Sequence, residues 1–112
     1  MTKIRYGESA IFDLMIAKKI IREFFIAKNS PELAKLQLDA FVSELKEKVV
    51  SLKTSPELYP RRFYSASTGL PVHSFSCHWF IVFYTYNKEI NEVIIMFIRS
   101  SKSDYSNIVY LV

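Results

Sequence analysis

WFIVFYTYNKEINEVIIMFIR, residues 79–99, decides the fold of this chain. Residues 79–86 are β-branched and aromatic, and residues 92–99 are rich in Val and Ile. Asn87-Lys88-Glu89 between them reads as a turn. Two such runs around a short polar break predict a central antiparallel hairpin. Each run is nearly continuously apolar on its inner part. One face should therefore pack on helices, with the other partly covered too. Upstream, residues 72–76 alternate and predict a third strand. Tyr59-Pro60 and the Ser67-Thr68-Gly69-Leu70-Pro71 turn bracket a further short segment, 61–66. Downstream, residues 100–106 are polar and residues 108–112 form a short apolar tail.

The N-terminal half has a different period. Lys3 to Tyr6 predicts a short first strand, broken at Gly7. From Ala10 to Ala27, Leu14, Ala17, Ile21 and Phe24 or Phe25 recur at helical spacing, with Ser9 as the expected N-cap. Ser30-Pro31 opens a second helix, since Pro suits the first helical position. That helix runs to about Leu52, with Leu38, Phe41, Leu45, Val49 and Leu52 as its seam, and Ser55-Pro56 stops it. The short connection predicts a helical hairpin. The expected fold class is α+β: an N-terminal strand and a helical hairpin packed on a small, mostly antiparallel sheet of three to four strands. At 112 residues the chain has room for one domain, 1–112.

Half the residues are hydrophobic and 15% are aromatic, which argues against a disordered chain. The formal charge of +4 favours an acidic partner. Cys77 stands alone, so no internal disulfide forms, and its apolar surroundings mark it as a buried small hydrophobe. No apolar run approaches the ~20 residues that span a bilayer. The opening Met-Thr-Lys-Ile-Arg-Tyr-Gly-Glu lacks a signal-peptide core, so the cytoplasm is the expected location. Two glycines do not build a phosphate loop. On a strand, His73 and Cys77 share a face while His78 points away, so no metal site and no cofactor is expected.

Residues 58–87 contain no Asp or Glu but carry Arg61, Arg62, His73 and His78 among many aromatics. Cations and aromatics without anions suit a phosphate backbone. Arg supplies a planar fork for phosphate oxygens. If an RNA 2′-hydroxyl attacks its own phosphodiester, the reaction needs a base, an acid and cations around the phosphorane. The expected set is Arg61, Arg62 and Lys102 for phosphate, and His73, His78, Arg99 and Tyr105 for catalysis. Each has a plainer reading: histidines that end strands, arginines that solubilise a loop, a tyrosine that packs with its hydroxyl outside.

Four patterns in order resemble the RelE/ParE superfamily of bacterial toxin–antitoxin toxins. They are Ser9-Ala10 with Asp13-Leu14; Ser55-Pro56-Glu57-Leu58-Tyr59-Pro60 with Arg61-Arg62; the aromatic strand from Trp79 to Tyr84; and residues 93–98 followed by Lys102 and Asp104-Tyr105. The resemblance implies a toxin that arrests growth and is neutralised by a cognate acidic antitoxin. It implies one of two mechanisms: metal-independent cleavage of mRNA on the ribosome, or inhibition of DNA gyrase without nuclease activity. A non-toxic interaction module of the same fold is the third option. Departures from the family pattern fall at Ile81 and His73, where arginines are common, and at Ser100, where a histidine is common. The nuclease reading therefore expects relocated chemistry on His73 or His78 and Arg99, converging with Arg61 and Arg62 at one concave patch.

Overall fold

The computed structural model describes residues 1–101. In chain order its elements are β1 (Lys3–Tyr6), α1 (Glu8–Ala27), α2 (Pro31–Ser51), β2 (Arg61–Tyr64), β3 (Pro71–Cys77), β4 (Phe80–Asn87) and β5 (Glu92–Ser100). Lys102, Tyr105 and the apolar tail at 108–112 lie outside the described residues.

The strands form one sheet in the order β1-β5-β4-β3-β2. Three of the four pairings are antiparallel, and β4–β5 is the central hairpin. β1 departs from the expected three or four strands. It joins as a fifth strand, parallel to β5, with Lys3 opposite Glu92 and Tyr6 opposite Ile95. The intervening helices allow this, because a parallel neighbour needs a long crossover.

The two helices pack on each other and cover one face of the sheet. Ala10, Ala17 and Ile21 of α1 and Phe41, Leu45 and Val49 of α2 meet Phe75, Cys77, Val82, Tyr84, Val93, Ile95 and Ile98. The opposite face carries a smaller cluster of Val72, Phe83 and Phe97, with Phe63, Ile81 and Met96 against it. A bulge between Phe83 and Tyr84 shifts the register by one residue, so Met96 and Phe97 both join that cluster while Ile95 and Ile98 stay on the helix side.

α1 starts earlier than its sequence suggests. Its N-cap is Gly7, in extended geometry and with no side-chain cap; Ser9 lies inside the helix. The reason is a close approach. Gly7 N–H donates to the Ile95 carbonyl at 2.9 Å, which continues the β1–β5 ladder, and a Cβ at Gly7 would sit 3.3 Å from that oxygen. β1 ends there, and α1 takes its place beside β5. The Asp13 carboxylate accepts from Ile98 N–H at 3.0 Å, so a helix side chain satisfies part of the strand edge that β1 leaves open.

Candidate functional site

The expected site residues divide between the two faces of the sheet. Arg61 pairs with His73 on β3, and His73 pairs with Tyr84 on β4. Directly opposite residues share a face, which here is the helix side. His73 is 6% exposed and sits under the segment that follows α2. Its Nδ1 is 2.7 Å from the Tyr59 carbonyl, and its ring stacks on Tyr84 at 5.1 Å. Its Nε2 is buried and has no hydrogen-bond partner among the described residues. Burial also pushes the Tyr84 hydroxyl up to about 12.

Arg99 belongs to the other face. It pairs with Ile81, and its guanidinium lies 4.9 Å from the Phe97 ring centroid. Its Nε is 3.3 Å from Asp13 Oδ2, so its charge is already answered. β4 and β3 separate β5 from β2, which puts Arg99 and Arg61 at least three strand spacings apart, about 14 Å.

Arg61 and Arg62 occupy the far edge. The Arg61 guanidinium covers the Tyr64 ring at 4.7 Å and donates to its hydroxyl at 2.7 Å. Arg62 lines a cleft with Lys48, Tyr59, Ser74, Ser76 and Ile81. Lys48 was not singled out in the sequence. It reaches from α2 to donate to the Ser76 carbonyl, which adds a cation where β2 no longer covers β3.

His78 opens the β3–β4 turn with a left-handed φ of 54°. For a histidine this conformation costs energy, so the surroundings must impose it. Glu44 on α2 does so. One carboxylate oxygen accepts from His78 N–H at 3.3 Å and the other lies 3.1 Å from Nδ1. Lys48 Nζ completes the group at 3.2 Å from Glu44. Burial pushes the Glu44 carboxyl up, but the Lys48 hydrogen bond and charge, together with His78, outweigh it and leave its pKa below the ordinary value.

Glu44, Cys77 and His78 bring one donor atom each within 4.8 Å of one another, and among the described residues they are the set that would hold a cation. Strand alternation set Cys77 and His78 on opposite faces, but β3 ends at Cys77 and His78 lies in the turn beyond it, so the two meet beside Glu44 of α2. Against that role, Lys48 already neutralises the carboxylate, and burial followed by the Glu44 charge pushes the thiol up to about 12. The cluster works as a clasp between α2 and the turn.

The expected convergence therefore does not occur among the described residues. His73 is sealed on the helix side, His78 is held by Glu44, Arg99 is paired on the opposite face, and Arg61 and Arg62 stand at the far edge. Strand alternation gives each residue a face only once the sheet order is known. The roles of Asp13, Glu44 and Lys48 escaped the sequence because they depend on contacts 28 to 85 residues away.

No protein-family model matches the sequence, and no curated protein is similar to it. Among solved structures the fold has a counterpart. A chain of the chromosomal ParDE TA system from P. aeruginosa superposes with a TM-score of 0.54 at 16% identity, covering 89% of this chain and 96% of that one. This chain has the RelE/ParE-like α+β fold: two helices on a mixed five-stranded sheet. Among the described residues, no helix is long and apolar enough to cross a membrane.

Proposed function

We propose that this chain is the toxin of a type II toxin–antitoxin pair and that it acts by binding DNA gyrase, without cleaving RNA. The observation that carries the second half is the sequestration of both histidines. A general base must come within about 3 Å of the proton it takes. His73 is buried beneath the Tyr59 segment, and the Nδ1 of His78 is engaged by Glu44. With Arg99 on the opposite face from His73, no described base, acid and cation share one phosphate. The counterpart from a ParDE system supports the toxin half at the level of fold. An acidic antitoxin would find its charge complement at the Arg61, Arg62 and Lys48 edge, with affinity that falls as salt rises.

Expression without an antitoxin should arrest growth. Purified protein should inhibit gyrase supercoiling, and DNA breaks should accumulate while message ends stay unchanged. Codon-specific cuts in translated mRNA with intact DNA, lost in His73→Ala or Arg99→Ala, would restore the nuclease mechanism and overturn this reading. No growth effect at all would leave the interaction module.

A further inference from the structure

The helices cover one face of the sheet, yet the middle of the other face is closed to water as well. Val72 is 0% exposed, Phe83 1% and Phe97 5%. The small polar side chains beside them are shut in too: Ser74 is 4% exposed and Thr85 5%. Val72 pairs with Thr85 and Ser74 with Phe83, and directly opposite residues share a face. All five therefore belong to the outer face, across β3, β4 and β5.

A sheet face that nothing covers leaves its central side chains in contact with water. Among the described residues, no helix or strand lies over these five. Both helices pack on the opposite side, and all five strands are in the sheet itself. The segment after α2 turns inward as well, with Leu52 and Tyr59 against the main core. Arg99 covers the Phe97 ring, but it stands opposite Ile81, four residues along β4 from the Thr85 that pairs with Val72.

We propose that residues 102–112 are the missing cover, folded back across the outer face with Ile108 to Val112 against Val72, Phe83 and Phe97. The chain leaves the sheet at the corner this path needs: Ser100 pairs with Phe80, and Ser101 N–H donates to the Trp79 carbonyl at 2.7 Å. The length fits. From Ser100 to Val72 the path crosses two strand spacings and the step from Cys77 to Val72 along β3, about 20 Å in all. The polar stretch 102–107, fully extended, also reaches about 20 Å, so it makes the return and delivers Ile108 onto the patch. Composition fits too, because Ile108-Val109-Tyr110-Leu111-Val112 is as apolar as the face it meets. A tethered segment also has an advantage over a second copy, since a short link holds it near the face at an effective concentration on the order of millimolar. This inference stands without the toxin reading.

NOE spectroscopy on the isotope-labelled full chain tests it. Methyl protons of Ile108 and Leu111 should show cross-peaks to the rings of Phe83 and Phe97. A chain stopped after Ser101 should shift the amide resonances at 72–74, 83–85 and 96–97, leave those of α2 in place, and bind a hydrophobic dye severalfold more strongly. Should that shortened chain not fold, Leu111→Asp gives the same reading at full length: a severalfold rise in dye fluorescence and a lower melting temperature, with the helical circular dichroism kept. Absence of cross-peaks from 108–112 to the outer face overturns the proposal, as does a Leu111→Asp variant indistinguishable from the native chain. Cross-peaks found only between labelled and unlabelled copies in a mixed sample also overturn it, and give the face to a second molecule.

Discussion

α1 and α2 are nearly equal in length, 20 and 21 residues, and lie side by side on the same sheet, yet they present different outer surfaces. α2 turns Phe41, Leu45 and Val49 inward, and most of its outward face is polar or charged. α1 buries Ala10, Ala17 and Ile21 and then carries a second apolar row on the side facing water. The lesson concerns composition. α1 mixes the small Ala10 and Ala17 with Ile21 where it meets the core and keeps Phe12, Ile16 and Ile20 outside, so its mean apolarity says little about which face is core.

The sharpest test of the contrast is truncation of each helix's apolar residues. Phe41 is fully buried and packs on Phe80 and His78. Phe41→Ala should cost about 3–5 kcal/mol by denaturant unfolding, since a cavity opens in the main core. The next effect lies on α1. Asp13→Ala removes the acceptor for Ile98 N–H and the partner of Arg99, and should cost about 1–3 kcal/mol. If Asp13→Ala is silent, α1 is not the cover of the β5 edge.

Two pH limbs separate the α2 clasp from the rest. The Cys77 thiol titrates near 8.5 in an unfolded chain and near 12 in the fold. Its contribution is therefore complete below about pH 8.5 and is lost as pH rises toward 12, where the unfolded state sheds the proton first. Cys77→Ala should flatten that alkaline decline in melting temperature, and native Cys77 should resist thiol reagents at neutral pH. Glu44 has the opposite sign. Its folded pKa is depressed, so its contribution is present above about pH 4.3 and is lost as pH falls through the lower folded value. Glu44→Gln should shallow the acid limb by a small amount, because the group is one-third exposed. Smallest of all, Ile16→Ala on the outer row should change monomer stability by no more than about 0.5 kcal/mol. A larger loss would mean that the row is core after all.

Much of the architecture was legible. The helical period located α1 and α2, Pro31 marked the second start, and the aromatic and Val/Ile runs gave β4 and β5. What escaped was long in range. β1 pairs with residues some 89 positions away, and no local pattern states whether that pairing is parallel. Gly7 replaced Ser9 as the cap because of a carbonyl on β5 that only the folded chain brings near. The candidate site was legible as a list of residue types and not as a place. His73 and Arg61 share a face, Arg99 faces away from it, and one strand order decides that.

The parallel seam between β1 and β5 also orders events in time. Lys3–Tyr6 is synthesised well before its partner β5, whose paired residues come 89 positions later in the chain. Until synthesis has passed Ile95, the opening strand has nothing to pair with and Gly7 has no carbonyl to turn on. Contacts so distant in sequence make for slow assembly. A nascent chain interrupted before that point lacks the sheet's central hairpin as well as its edge, so neither the main core nor the β1 seam can close until that stretch has been made.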